Sequence, residues 1–252
     1  MGMMDSPVGS LSGALRWGDN GVPYSVEFND QYFCQDNGYD EAVHVCCRGN
    51  SLQERFSALD PSCPGTFTII ETGFGTGLDF CCARQVWEQS APPSWKLHFV
   101  SLELYPLGKD DMARALGLWP ALGDIGHELA GCYEPSPGRV RDWYFKDRQV
   151  RLTIVFDDVV AALARITADN IAPQRADAWF LDGFAPSKNP AMWSEQVFEA
   201  MAALSKPGTT LSTFTVAGFV RRGLEARGFE VRKIPAHGKK NQMLTGKFNP
   251  EK

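Results

Sequence analysis

The succession of strand, glycine loop and helix between Phe67 and Glu88 constrains the fold more than any other feature of the chain. Phe67-Thr68-Ile69-Ile70-Glu71 is rich in β-formers, runs into Thr72-Gly73-Phe74-Gly75-Thr76-Gly77, and is followed by helical spacing from Leu78 to Glu88. The pattern recurs. Strands are expected at Lys96 to Glu103, Val150 to Phe156, Ala178 to Leu181, Thr209 to Thr215 and Phe229 to Ile234. Helices are expected at Asp110 to Leu118, Val159 to Ile166, Met192 to Leu204 and Ala217 to Arg227, the last stopped by Gly228. Continuous apolar strands separated by helices need a parallel sheet covered on both faces, so the fold class is α/β. After a turn at Gly238-Lys239-Lys240, Gln242 to Phe248 supplies one more strand, expected to form an antiparallel edge pair with the preceding one.

The chain has 252 residues, 44% hydrophobic and 22% charged, enough to bury a real core, and this balance excludes disordered and fibrous classes. Twenty-five basic residues against thirty acidic ones give a net charge of −5, which excludes a protein coated in positive charge to hold long nucleic acid. Seven cysteines with no C-x-x-C spacing read as a reduced, cytoplasmic chain without a structural zinc. The four histidines show no ligand spacing, and no G-x-S-x-G element is present, so neither metal catalysis nor hydrolase chemistry is supported. No apolar run approaches the roughly 20 residues that span a bilayer, and Met1 to Ser10 has no secretory pattern. Gly2 with Ser6 fits a myristoylation pattern but reads as a flexible start. Near the beginning, Gly21 to Phe33 is dense in aromatics, Glu41 to Cys46 reads as a short strand and Leu52 to Leu59 as a helix. Residues 1–60 are therefore expected to form an N-terminal extension packed on a catalytic domain of residues 61–252, with Glu134 to Gly138 as a surface loop.

Glycine reaches backbone angles closed to other residues and lets a ligand approach the main chain, while a helix start offers unpaired N–H groups. The loop from Glu71 to Gly77 thus implies a nucleotide-like ligand, with Gly73, Phe74, Gly75 and Gly77 as candidate contacts. A dinucleotide site spaces its glycines G-x-G-x-x-G, whereas this loop reads G-x-G-x-G with Glu71 two residues before the first glycine. Glu71 would repel a pyrophosphate and suits the ammonium and sulfonium of S-adenosylmethionine, so the loop favours the methyl donor, an ordinary tight turn being the remaining reading. Glu103 ends the next strand, where both cofactor classes place a carboxylate for ribose hydroxyls. Asp158 either reaches an adenine amino group or caps the following helix. Asp182 ends a buried strand in Trp179-Phe180-Leu181-Asp182-Gly183-Phe184-Ala185-Pro186, where it could hold an amine while Phe184 stacks on a base; a structural turn with a core phenylalanine competes. From Phe219 to Lys247 eight basic residues, among them Arg221, Arg222, Lys239 and Lys240, stand against Glu225 and Glu230. That excess suits either RNA phosphates or a solvated helix face.

Four stretches together resemble the methyltransferase domain of the MnmC family, the tRNA 5-methylaminomethyl-2-thiouridine biosynthesis enzymes. They are Glu71 through Phe80, Ser101-Leu102-Glu103 with Pro106-Leu107, the run DAWFLDGFAPSKNPAMW from Asp177 to Trp193, and Thr213-Phe214-Thr215 leading to Phe219-Val220-Arg221-Arg222-Gly223-Leu224. The resemblance runs from about Pro23 to Phe248 and includes Phe28, Asp30, Tyr32-Phe33 and Gly49-Asn50. It implies a class I methyltransferase fold: a Rossmann-like, mostly parallel seven-stranded sheet with an antiparallel last strand and a small N-terminal elaboration. It also implies methyl transfer from S-adenosylmethionine to the aminomethyl nitrogen on the wobble uridine of tRNA. By position, the glycine loop and Glu71 would bind the methionine part, Glu103 the ribose and Asp158 the adenine side. Asp182 and Phe184 would stand at the reacting amine, with Lys188, Arg221, Arg222, Lys239 and Lys240 on tRNA.

The chain departs from the family at Asp79, where Asn is usual, at Asp157-Asp158-Val159, where G-D-A is usual, and at Ala236 to Leu244. Two-domain members continue into an FAD-dependent oxidase, so this chain is expected to be a stand-alone methyltransferase or a shortened piece, with aminomethyluridine supplied by a separate protein. The rival readings are a methyltransferase for another RNA or a small amine, a non-catalytic tRNA-binding module, and a nicotinamide dehydrogenase.

Overall fold

The computed structural model describes residues 15–34, 36–147, 149–236 and 241–251. The chain starts with a small antiparallel meander of β1 (Leu15–Trp17), β2 (Pro23–Ser25) and β3 (Asp30–Gln31). Helix α1 (Gly38–Ala42) runs directly into a π-helical stretch, Val43–Arg48, and α2 (Leu52–Ser57) follows. The strand expected over Glu41 to Cys46 is therefore helical. The reason is packing: Ala42, Val45 and Cys46 are buried at i, i+3, i+4, the spacing of one helix face, and the segment lies against the first helix after the glycine loop. Asn50 ties it to the sheet. Its buried amide donates to the carbonyls of Cys46 (3.0 Å) and Trp179 (3.2 Å) and to Ser212 Oγ (2.6 Å), and accepts from Thr210 Oγ1 (2.6 Å).

The alternating units are β4 (Thr66–Thr72), α3 (Leu78–Ser90), β5 (Lys96–Leu102), α4 (Lys109–Leu116), α5 (Asp124–Cys132), β6 (Val140–Phe145), β7 (Val150–Val155) and α6 (Val159–Ala168). They continue as β8 (Ala176–Phe180), α7 (Glu195–Ala203), β9 (Ser205–Thr213), α8 (Gly218–Glu225), β10 (Phe229–Pro235) and β11 (Gln242–Phe248). The sheet order is β10-β11-β9-β8-β4-β5-β7-β6, with β9, β8, β4, β5 and β7 parallel. It has eight strands where seven were expected. The extra one, β6, pairs antiparallel with β7 from Val140↔Val155 to Phe145↔Val150. It is an edge strand whose side chains are mostly exposed or half-buried, so the sequence carries no alternation to announce it. The last strand is antiparallel as expected, but β11 inserts between β9 and β10, which leaves β10 alone at the edge.

Successive strand residues serve opposite cores, as the two-residue period of a strand requires. Ile69, Phe99 and Phe180 join the cluster under α2, α3 and α5, whereas Ile70, Val100 and Trp179 join the one under α6, α7 and α8. Both faces being covered, the parallel strands all end at one edge, where loops 73–77, 103–108, 156–158 and 181–189 meet.

Candidate active site

Gly73, Gly75 and Gly77 all have positive φ (97°, 53° and 74°), which makes the loop after β4 turn sharply. The amides of Gly73 and Phe74 both reach the Leu102 carbonyl at 3.0 Å, anchoring the loop to the end of β5. A Cβ on Gly73 would lie 3.5 Å from the Asp182 carbonyl, and one on Gly77 would lie 2.8 Å from Leu129, so the loop is shaped from both sides. The Phe74 ring turns inward and stacks on Tyr133 at 6.0 Å.

Around this loop lies a cavity of about 590 Å³, the size of a nucleoside-bearing ligand. Asp30, Glu41, Asp79, Glu103, Asp157, Asp158 and Asp182 line it, against Lys188 as the only basic side chain among the described lining residues. Such a lining favours cationic groups and repels phosphates. That is the test S-adenosylmethionine must meet, and its sulfonium and ammonium fit. Lys188 offsets little of this, because its ammonium is engaged by the Asn29 carbonyl (2.6 Å) and Asp30 Oδ1 (3.1 Å).

The acids differ in state. Glu71 is only 1% exposed, is absent from the lining and accepts from Ser101 Oγ at 2.5 Å. Burial, with Asp79 close by, pushes its carboxyl well above the usual range. Other acids reach the cavity itself. Asp79 is one of them, on the first turn of α3, with Cys46 Sγ donating to Oδ2 at 2.9 Å. Burial raises it to about 6 despite that hydrogen bond. Glu103 spans two backbones, accepting from Gly75 N–H on Oε2 and Tyr105 N–H on Oε1, each at 2.8 Å; burial nonetheless pushes it up. Of the two roles the sequence leaves open for Asp158 the structure shows the cap: its Oδ1 accepts from Val160 N–H at 3.0 Å at the start of α6, and the residue also lines the cavity.

The segment after β8 forms the opposite wall. Thr72 Oγ1 donates to the Asp182 carbonyl at 2.8 Å, Gly183 has φ 139°, and Trp193 Nε1 donates to the Phe184 carbonyl at 3.1 Å. The Asp182 carboxyl and the Phe184 ring both border the cavity. Phe184 stacks on Phe28 (4.7 Å, 26°) and meets Tyr32 edge-on (5.2 Å). Asp30 accepts the Ala185 amide at 3.3 Å. The meander is thus a wall of the site. Its residues, with Glu41, Cys46 and Asp79, are the ones residue-level reasoning misses; the aromatic density of Gly21 to Phe33 is the one signal that points to them. Arg221 and Arg222 lie outside the cavity on α8, Arg221 paired with Glu225 at 3.7 Å. Lys239 and Lys240 lie outside the described residues.

The chain is 47% identical to the tRNA 5-methylaminomethyl-2-thiouridine biosynthesis bifunctional protein MnmC of Methylobacillus flagellatus over 235 residues, covering 93% of this chain and 35% of that protein. It is 50% identical to the Chromobacterium violaceum protein of the same name, covering 92% and 34%. It spans about a third of the length of these curated relatives. The crystal structure of MNMC2 from Aquifex aeolicus shares the fold with a TM-score of 0.71 at 17% identity, covering 94% of this chain and 71% of that one. A profile of the S-adenosyl-L-methionine-dependent methyltransferases matches residues 120–249, slightly more than half of the chain, and the chain belongs to that family.

Proposed function

We propose that this protein transfers a methyl group from S-adenosylmethionine to the aminomethyl nitrogen of the wobble uridine of tRNA, converting 5-aminomethyl-2-thiouridine to 5-methylaminomethyl-2-thiouridine. The observation that carries the reading is the acid-lined cavity, built for two cationic groups, beside a glycine loop at the carboxyl ends of parallel strands. The names of the relatives point to the same substrate.

In this reading Gly73 to Gly77 and Asp79 hold the methionine part, Glu103 the ribose, and Asp158 the adenine side. S-adenosylmethionine, when bound, supplies an electrophilic methyl on a sulfonium that departs as a neutral thioether without acid assistance. The protein's task is to align a neutral amine with that methyl. Asp182 lines the cavity just after β8, and its carboxylate is the group that orients the amine N–H. The amine lone pair forms the new N–C bond, the C–S bond breaks with its electron pair on sulfur, and the surplus proton on nitrogen leaves to water. Phe184 presents an aromatic face to the uracil ring.

The same proposal treats residues 1–60 as an extension that completes the site of a 61–252 methyltransferase domain and places the protein in the cytoplasm. Among the described residues no helix is long and apolar enough to cross a membrane. The test is transfer of labelled methyl to tRNA carrying unmethylated aminomethyl wobble uridine, with fully modified tRNA as control. Label in the first alone supports donor, substrate and position together. Donor binding without label would remove the substrate and leave the family assignment intact.

A further inference from the structure

An acidic cavity sets a condition on any nucleic acid that uses it. Asp79, Glu103 and Asp182 favour a cationic substituent on a base but repel the phosphates on either side, so the backbone has to pass along the rim. The rim is unusual. Val26 is 57% exposed two residues before the cavity-lining Phe28, and Val160 is 38% exposed next to the lining Val159. Beyond the lining Phe214, Val216 is 36% exposed and Phe219 is 48% exposed. Phe219 sits in the first turn of α8, five residues after the lining Phe214, which directly follows β9. Arg222 follows at i+3, on the same helix face, exposed and without an ion pair among the described residues. The buried face of α8 is formed instead by Val220, Gly223 and Leu224. A single exposed phenylalanine is ordinary. A phenylalanine with a free arginine one turn on, beside a cavity that excludes phosphate, has the two elements that hold an unpaired nucleotide: a ring to stack its base and a cation for its phosphate.

Building on the tRNA reading above, we propose that Phe219 and Arg222 form a docking platform for the anticodon-loop nucleotide adjacent to the target uridine. The neighbour's base stacks on Phe219 and its phosphate pairs with Arg222, while the uridine alone enters the cavity. The platform holds the loop and takes no part in methyl-donor binding.

The experiment measures binding of an anticodon stem-loop RNA carrying 5-aminomethyl-2-thiouridine at the wobble position, with methyl transfer, donor affinity and thermal melting followed in parallel. Phe219→Ala should weaken stem-loop binding about ten-fold, and Phe219→Tyr should restore it. Arg222→Gln should lower the slope of log affinity against log salt by about 0.7 to 1. Donor affinity and melting should match the wild type in all three. Stem-loop binding unchanged in Phe219→Ala and Arg222→Gln would overturn the platform, as would an equal loss of donor affinity. If the wild type binds the stem-loop through these residues but does not methylate it, the functional reading fails and the platform stands. If the wild type binds no stem-loop, both fail.

Discussion

Asp79 shows how burial changes an acid at the site. Asp79 has a folded pKa of about 6 against an ordinary 3.8, because burial penalises its charge. A carboxylate raised on folding binds its proton more tightly in the native state, so it costs nothing below its unfolded pKa of 3.8, destabilises progressively as pH rises from there to about 6, and costs a constant amount above. Asp79→Asn, which can still accept from Cys46, is therefore expected to raise the melting temperature at pH 8, by about 3 kcal/mol in stability at most, and to leave it unchanged at about pH 3. Parallel melts of the two proteins across that range check the sign. Asp182 stands instead at the reacting amine in the proposed mechanism. Asp182→Asn should lower labelled-methyl transfer by about a hundred-fold or more while moving the melting temperature by only a few degrees. Transfer at the wild-type rate would take Asp182 out of the mechanism.

The meander and the loop after β8 are separate in sequence by about 150 residues, yet Asp30 joins them by bonding both Ala185 N–H and Lys188. The ion pair is partly exposed and contributes less than about 1 kcal/mol to global stability. Its effect is local: Asp30→Ala should lower hydrogen-exchange protection at Ala185 and slow methyl transfer, with denaturant unfolding almost unchanged. Protection at Ala185 equal to wild type would show that Phe28 stacking on Phe184 holds the loop by itself. This contact also marks where the sequence stops being legible. β4, β5, β7 and β8 can be read because strands buried on both faces are continuously apolar, and the glycine loop because three positive-φ turns demand glycine. β6 escapes because half of it faces water, and Glu41 to Cys46 misleads because Val43 and Val45 carry strand propensity into a segment whose conformation is fixed by packing on α3. Phe28 and Tyr32 are visible as aromatics, but only tertiary contact with Phe184 makes them part of the site.

On the scale of the whole molecule, charge is sorted by place. The chain carries a modest −5, but the acids crowd the cavity while the chain from Phe219 to Lys247 is basic. A cationic ligand is drawn into the cavity, and a polyanion is confined to its outside. The consequence for the methyl donor is a pH dependence that the neutral part of the ligand lacks. Between pH 7 and pH 5 the donor keeps its sulfonium, ammonium and carboxylate, so a change in affinity reports the protein. Asp79 gains its proton near pH 6 and its attraction is lost, and one charge at cavity distances in a partly buried site is worth roughly a factor of ten. S-adenosylmethionine should therefore bind up to about ten-fold more weakly at pH 5 than at pH 7 by calorimetry, whereas adenosine, uncharged throughout, should change little. In Asp79→Asn the donor's slope should flatten towards that of adenosine. Equal slopes for the two ligands in the wild type would mean that the cavity acids shape the pocket without acting as counter-charges, and the acidic lining would no longer explain why a cationic donor is chosen.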